Sequence, residues 1–156
     1  MYYLMLIAVL IGLVFSSSGS GKREDDVAEK IISMERAALD RWGKGDPWGF
    51  IEISADEVTY YDTDTELRLD GLEALKQLYT SIEGKISIER YEMINPKVQI
   101  HGDTAVLTFN LIDYVPAPEG SIKEVHWNST EVYSRINGEW KIIHTHWSHT
   151  KPKLQE

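Results

Sequence analysis

The sequence predicts an α+β domain in which three N-terminal helices pack on one strongly curved, mostly antiparallel sheet of five or six strands. Three observations support this fold class. Apolar residues recur at helical spacing in the first half of the chain after residue 22, as they do in amphipathic helices. The second half holds strand-like runs in succession, separated by tight-turn residues. Helices followed by consecutive strands are typical of a helical layer on one face of a sheet.

The length of the strands implies the curvature. Long strands twist, and a twisted sheet that is closed at one end by helices forms a cone with a pocket at its open end. Ligand sites favour such openings. We therefore expect a ligand site at the mouth of the cone.

Two helices are predicted in the first third of the chain. The first begins at Glu24 and ends before Gly43, and five apolar side chains share one of its faces. These are Val27, Ile31, Met34, Ala38 and Trp42. Asp46 and Pro47 then offer an N-cap and a first-turn proline for a short helix from Pro47 to about Ser54.

Two short strands and a third helix follow. Residues 57–61 are β-prone, and a short strand is predicted at 67–69. Asp70 and Glu73 have the spacing of a capping box. The third helix is therefore expected to begin at Asp70 and to end at Gly84.

Four longer strands complete the predicted sheet. They cover residues 86–101, 104–115, 122–136 and 139–149. Pro96 is expected to kink or bulge the first of them, because proline cannot donate to a strand ladder. His101-Gly102-Asp103 and Asn137-Gly138 predict tight turns between neighbouring strands.

Composition excludes several functional classes. The chain has 156 residues, no cysteine, and a net charge of −9 from 16 Lys and Arg against 25 Asp and Glu. Without cysteine there is no disulfide framework, thiolate nucleophile or cysteine zinc site. The acidic balance argues against a nucleic-acid partner, because phosphate affinity comes mostly from Lys and Arg. The sequence contains no P-loop, dinucleotide-binding glycine motif, zinc-protease motif or serine-hydrolase elbow.

The N-terminal segment differs from the rest of the chain. Residues 1–15 are nearly all apolar and carry no charged side chain, and residues 16–21 read SSSGSG. An apolar core followed by small residues is typical of a secretory signal peptide, although the usual basic start is missing. We expect residues 1–21 to be a signal peptide and residues 22–156 to form one domain that is exported to the periplasm or secreted. The alternative is an uncleaved N-terminal membrane anchor.

Three segments of the chain resemble one known family. They are VTYYDTDTELRLDGLEAL at 58–75, INPKVQIHGDTAVLTF at 94–109 and TEVYSRINGEWKIIHTHWS at 130–148. In this order they resemble the SnoaL-like group of the nuclear-transport-factor-2-like superfamily, and most closely the association domain of calcium/calmodulin-dependent kinase II. With the helix order included, the resemblance spans about residues 26–150.

The resemblance implies a cystatin-like cone, a homodimer through the convex face of the sheet, and a deep pocket under the helices. In the association domain, arginines from two late strands line that pocket, and their positions correspond to Glu131 and Trp147 here. Neither residue is basic, so a neutral, aromatic or cationic small-molecule ligand fits better than a carboxylate. The chain contains no kinase domain, no cofactor is implied, and this scaffold hosts both enzymes and binding modules.

Two carboxylates are candidates for catalysis. Asp62 follows the strand at 57–61 and lies at the rim of the expected pocket, where burial would raise its pKa for work as a general base. The alternative for Asp62 is ordinary turn chemistry. Glu131 lies in the middle of a strand and points into the cavity if the family alignment holds, where it would bind an amine or act as a base. The alternative for Glu131 is a half-exposed surface position.

Four aromatic residues are candidates for ligand contact beside Glu131. They are Tyr61, Trp127, Tyr133 and Trp147. The alternative is that they simply fill the core, since aromatic side chains fill such cones whatever their function.

The histidine-rich end of the last strand offers a possible metal site. His144 and His146 point to one face of a strand and would need a carboxylate from a neighbouring strand to complete the site. Family alignment instead turns Thr145 and Trp147 toward the pocket, which leaves the histidines at the dimer interface. We therefore predict no metal site.

Three functions are compatible with the sequence. The first is a homodimer that binds a small, partly apolar molecule in an aromatic pocket, without established catalysis. The second is a cofactor-free isomerase or lyase of the ketosteroid-isomerase type, with a pocket carboxylate as general base, although the sequence shows no clear match to that enzyme's tyrosine and two aspartates. The third is an oligomerisation module whose cone is filled by its own side chains.

Overall fold

The structure is a computed structural model that describes residues 18–151. Most of the predicted signal peptide at residues 1–21 lies outside the described residues, so its cleavage stays a prediction. Within residues 18–151, no helix has both the length and the apolar character needed to span a bilayer.

Helices and strands alternate in the first half of this range, and strands follow one another in the second. The helices are α1 (Ser18–Trp42), α2 (Trp48–Ile53) and α3 (Leu72–Ile82), and a short 3₁₀ turn covers Pro118–Gly120. The strands are β1 (Ser54–Tyr61), β2 (Leu69–Asp70), β3 (Arg90–His101), β4 (Thr104–Pro116), β5 (Ile122–Ile136) and β6 (Glu139–His149).

All six strands form one open, mixed sheet in the order β2-β1-β6-β5-β4-β3. Only β1 and β6 run parallel; the other neighbours are antiparallel. The predicted α+β fold class is therefore confirmed. The last strand lies in the middle of the sheet, between β1 and β5, and joins the two halves of the chain.

Local sequence signals place the bends and turns of the long strands. The register of β3 against β4 shifts between Ile94 and Lys97, so the bulge predicted at Pro96 is confirmed. The β5–β6 turn has Asn137 at φ 51° and Gly138 at φ 88°, which is the backbone that an Asn-Gly hairpin turn requires.

The structure corrects the predicted starts of two helices. α1 begins at Ser18, six residues before the predicted Glu24. The capping box at Asp70 is wrong, because Asp70 ends β2 and its carboxylate accepts a hydrogen bond of 2.6 Å from Arg68. Gly71, at φ 89°, then turns the chain into α3 without a side-chain cap.

One face of the sheet packs against the helices, and the alternation along β4 shows which residues lie there. Ala105, Leu107, Phe109 and Leu111 are buried, and the side chains between them are half-buried or exposed. The same alternation places Asp113 on this inner face.

A bulge keeps both halves of β6 on the inner face. Ile142 pairs with Tyr133 and His144 pairs with Val132, so Ile143 is an extra residue in β6. Because of this residue, the side chains on both sides of the bulge turn inward. They are Trp140 and Ile142 before it and Thr145 and Trp147 after it.

Candidate functional site

A small cavity lies where the helices meet the inner face of the sheet. Its volume is about 60 Å³, and α1, α2, α3, β1, β4, β5 and β6 all contribute to its wall. Six of the residues that line it are aromatic: Trp42, Phe50, Tyr60, Tyr79, Trp127 and Trp147. The predicted aromatic pocket is thus present as geometry, although it is much smaller than the several hundred Å³ typical of drug-sized sites.

Aromatic rings that line the cavity pack against one another in edge-to-face contacts. The ring centroids of Trp42 and Tyr79 are 5.2 Å apart, those of Tyr60 and Tyr79 are 6.0 Å apart, and those of Trp127 and Trp147 are 6.2 Å apart. Such pairs contribute about 0.5–1.5 kcal/mol each beyond their buried area. These contacts therefore stabilise the positions of the aromatic side chains that line the cavity.

Asp113 is the most unusual polar residue of the cavity. It is only 6 % exposed, and the indole N–H of Trp127 donates to its Oδ2 at 3.0 Å. Its other oxygen, Oδ1, has no hydrogen-bond partner. Burial raises the pKa of Asp113 to about 6, against the opposing effect of the Trp127 hydrogen bond. A carboxylate with this pKa can give or take a proton near neutral pH.

A second carboxylate lies beside a tyrosine at the same cavity. The Tyr60 hydroxyl donates to Asp62 Oδ2 at 2.5 Å, and both residues line the cavity. Burial, followed by the charges of Tyr79 and Asp62, holds the pKa of Tyr60 well above its usual range. Tyr60 therefore stays a neutral hydrogen-bond donor.

A buried acid pair lies elsewhere in the core, outside the cavity wall. Glu35 of α1 and Glu131 of β5 are both 0 % exposed. The Tyr133 hydroxyl donates to Glu35 at 2.9 Å and lies 3.5 Å from Glu131. Burial raises the pKa of Glu35 to about 7 and that of Glu131 well above its usual range.

The structure brings three of the predicted site residues to the cavity: Asp62, Trp127 and Trp147. Glu131 and Tyr133 lie on the inner face, as the parity predicts, but are packed in the core and do not line the cavity. Tyr61 lies on the opposite face of β1, is 40 % exposed, and has its ring 5.7 Å from that of His146.

The two neighbouring histidines occupy the outer face of the sheet. His144 Nδ1 lies 2.8 Å from the Thr59 hydroxyl oxygen. Burial, with a smaller effect from His146, lowers the pKa of His144. Across residues 18–151, no three His, Cys, Asp or Glu side chains come together in a way that could hold a metal ion.

Sequence reasoning missed Asp113 and Glu35, although each carried a signal. Asp113 has the same parity as the buried apolar residues of β4, and Glu35 lies one helical turn after the buried Ile31. A charged residue that continues an apolar face by strand or helix periodicity is a candidate for burial.

Larger grooves on the surface are less suited to a small ligand. One of about 660 Å³ lies between α1 and β3, beside exposed charges of both signs that include Arg36, Asp40 and Lys44. It lacks the buried, unpartnered polar atom found in the aromatic cavity. We therefore take the aromatic cavity as the candidate site.

Comparison with solved structures identifies relatives of the whole domain. A candidate ketosteroid isomerase from Parabacteroides distasonis is 42 % identical, with a TM-score of 0.71, and the match covers 81 % of this chain and 89 % of that one. The association domain of Caenorhabditis elegans calcium/calmodulin-dependent kinase II is 18 % identical, with a TM-score of 0.67 and coverage of 85 % and 99 %. An NTF2-like protein of unknown function from Pseudomonas putida is 21 % identical, with a TM-score of 0.71 and coverage of 83 % and 90 %.

The two more distant structures show the fold alone, which is the nuclear-transport-factor-2-like fold that the sequence predicts. No curated protein matches the chain significantly. The model of the calcium/calmodulin-dependent protein kinase II association domain matches residues 27–151, which is most of the chain. The chain therefore belongs to the calcium/calmodulin-dependent protein kinase II association-domain family.

Proposed function

We propose that this domain binds a small, partly apolar molecule in the aromatic cavity. The observation that carries the proposal is Asp113, a nearly fully buried carboxylate that lines the cavity and leaves Oδ1 unpartnered. A buried polar atom without a partner destabilises a protein by about 1–3 kcal/mol. A ligand that donates a hydrogen bond to Oδ1 would remove this penalty, and Trp127 and Trp147 would contact its apolar part.

The test is a panel of small aromatic and aliphatic fragments added to isotope-labelled protein. We expect binding fragments to shift the indole N–H signals of the cavity residues Trp42, Trp127 and Trp147. The indole of Trp48 lies outside the cavity and donates to Glu83 at 2.8 Å, so its signal should not move. Trp147→Ala should abolish binding, and Trp48→Ala should leave it intact.

If no fragment moves the cavity signals, the binding proposal fails. The third function predicted from the sequence, an oligomerisation module without a ligand, would then be the better description.

A second candidate function is proton transfer at carbon, with Asp113 as the general base. It is favoured by the raised pKa of Asp113 and by the 42 % identity to a candidate ketosteroid isomerase. Asp113 would take a proton from the carbon between a carbonyl and a double bond, and would return it to the far end of the resulting dienolate. Tyr60 would turn its one hydroxyl proton from Asp62 to the enolate oxygen. No oxidant or reductant is needed, because the double bond only moves.

The cavity of about 60 Å³ directs the choice of test substrate toward a small enone precursor. We expect 3-cyclohexenone to be converted to its conjugated isomer, which is followed by ultraviolet absorbance. Asp113→Asn should lower the rate by at least about 100-fold, in line with the usual contribution of a general base. Asp62→Asn tests the base predicted from the sequence, and Asp103→Asn, in an exposed turn, is the control. An unchanged rate in Asp113→Asn would exclude this mechanism.

We also propose that the domain is a homodimer through the outer, convex face of the sheet. Small and apolar side chains meet across the central strands there, with Val106 opposite Val132 and Thr108 opposite Thr130. Other members of the family are described as association domains and hubs, which supports self-association.

Light scattering of the purified domain tests this proposal. We expect an even-numbered oligomer that Val132→Glu converts to a monomer, because a charge would be buried in the interface. Gln77→Glu, on an exposed position of α3, should leave the oligomer intact. A wild-type monomer at micromolar concentration would contradict the proposal.

Export is proposed from the apolar segment at residues 1–15 and the small residues at 16–21. Mass measurement of protein recovered from its own host tests it. A mature chain that begins between residues 17 and 22 supports cleavage, and a chain that retains Met1 in the membrane fraction supports the anchor.

A further inference from the structure

The charge of the aromatic cavity is entirely negative. Asp62 and Asp113 are its only ionisable acids, and none of the residues that line it is Lys, Arg or His. Two tyrosines, Tyr60 and Tyr79, also face it, and burial holds the pKa of each above its usual range. Near neutral pH, the tyrosines are neutral and the carboxylates set the charge of the cavity.

Within residues 18–151, no Lys, Arg or His side chain pairs with Asp113. Lys85 lines a neighbouring groove to which Asp113 also contributes. Its ammonium group donates to the Ser81 carbonyl oxygen at 2.7 Å. The indole of Trp127 is the one donor to the carboxylate in residues 18–151, and it reaches only Oδ2.

A cationic ligand would suit both the unpaired carboxylate and the aromatic lining of this cavity. An ammonium group placed near Asp113 would pair with the carboxylate and donate a hydrogen bond to the free Oδ1. The same group would lie against electron-rich aromatic faces, which attract cations. A neutral donor would make only the hydrogen bond to Oδ1 and would leave the charge of the carboxylate without a counter-charge in an apolar site.

We propose that the ligand is a small protonated amine, whose ammonium N–H donates to Asp113 Oδ1 and whose alkyl part lies against Trp127 and Trp147. This inference rests on the proposed function, since it specifies the class of molecule that the cavity takes. The volume of about 60 Å³ suits an ammonium group with a short alkyl chain. A primary or secondary amine fits better than a quaternary one, because only the former has N–H donors for Oδ1.

The test compares butylamine with butan-1-ol, which has similar size and shape but no charge. At about pH 7.5 we expect the amine to bind at least about tenfold more tightly, measured by shifts of the cavity indole signals. Asp113→Asn should remove this preference and leave the affinity for the alcohol within about twofold. Asp103→Asn, in an exposed turn, is the matched control and should behave as wild type.

Acidification of the wild-type protein provides a test that needs no variant. Asp113 has a pKa of about 6, so its charged fraction falls about tenfold between about pH 7.5 and about pH 5. The affinity for butylamine should fall by the same factor, while the affinity for butan-1-ol stays constant. This comparison decides the question even if Asp113→Asn does not fold.

The outcomes separate this inference from the proposed function. If the alcohol binds as tightly as the amine, the inference is overturned and the binding function stands. If tetramethylammonium binds as tightly as butylamine, the hydrogen bond to Oδ1 is refuted. If neither the amine nor the alcohol nor any fragment binds, the proposed function fails and the inference fails with it.

Discussion

The Tyr133 hydroxyl donates a hydrogen bond of 2.9 Å to Glu35, which ties β5 to α1 inside the core. Tyr133 and Glu35 are both 0 % exposed. A carboxylate in such surroundings needs donors to replace the water that it has lost. Glu131, equally buried, is the other neighbour of this hydroxyl.

Removal of the hydroxyl group should therefore destabilise the fold. Tyr133→Phe is expected to lower the free energy of unfolding by about 1–3 kcal/mol, because it leaves a buried carboxylate without its donor. Tyr114→Phe is the matched control, since the Tyr114 hydroxyl donates to Glu92 at an exposed position; it should change the free energy by less than about 0.5 kcal/mol. Urea unfolding of both variants measures the difference, and equal losses would contradict the role of Tyr133.

The acid pair should make the stability of the domain fall as the pH rises. Burial raises the pKa of Glu35 to about 7 and holds the pKa of Glu131 well above its usual range. The folded protein therefore binds more protons than the unfolded chain above about pH 4.5, and its free energy of unfolding decreases with increasing pH. This contribution is complete below the unfolded pKa and is lost as the pH rises through about 7 and beyond.

Glu131→Gln should flatten this dependence, because an amide cannot ionise and can donate to Glu35. We expect the wild type to lose about 1–3 kcal/mol between about pH 5 and about pH 8, and the variant to lose less than half of that. Glu57→Gln changes an exposed glutamate of β1 and should keep the wild-type profile. Thermal unfolding across this range is the measurement, and a wild type that gains stability with pH would disprove the shared burial of the two acids.

The hydrogen bond between Trp127 and Asp113 gives a spectroscopic signal for the cavity. Because the indole N–H of Trp127 donates directly to Asp113, its chemical shift should titrate with a midpoint of about 6. Asp113→Asn should abolish the titration, and Asp103→Asn should preserve it. A midpoint near the ordinary value of an exposed aspartate, about 4, would show that Asp113 is hydrated.

The β5–β6 turn should be sensitive to a single methyl group. Gly138 has φ 88°, and a Cβ added there would touch nothing within 4 Å, so Gly138→Ala tests backbone strain without a steric clash. We expect a loss of about 1–2 kcal/mol. Gly43→Ala is the control, because Gly43 lacks a positive φ and a Cβ there would make only ordinary contacts at 3.5 Å; it should be nearly neutral. Equal effects in the two variants would contradict the strain argument.

The fold was largely predictable because its strands and turns are specified by short stretches of local sequence. The alternation of residues 104–116 and the turn at Asn137-Gly138 need only neighbours in sequence to be recognised. Pro96 marked its bulge for the same reason. The helix cap predicted at Asp70 was wrong because two local arrangements are open to this residue, a helix cap and an ion pair with Arg68. The structure has the ion pair.

The site was less predictable because it depends on how deeply each inner-face side chain is packed in the core. Parity places Glu131, Tyr133 and Trp147 on the same inner face, but parity does not tell which of them reaches the cavity wall. Only Trp147 does. Asp113 and Glu35 were missed for the same reason. Periodicity indicates the face on which each residue lies, but their burial depends on contacts with segments that are distant in sequence.

The central position of β6 has a consequence for how the chain folds during synthesis. The strand that joins β1 to β5 is the last of the six described strands in chain order, so a growing chain holds two incomplete sheets until β6 has emerged from the ribosome. Pairings between distant segments form late. A chain truncated before Glu139 would therefore expose two sheet edges to aggregation.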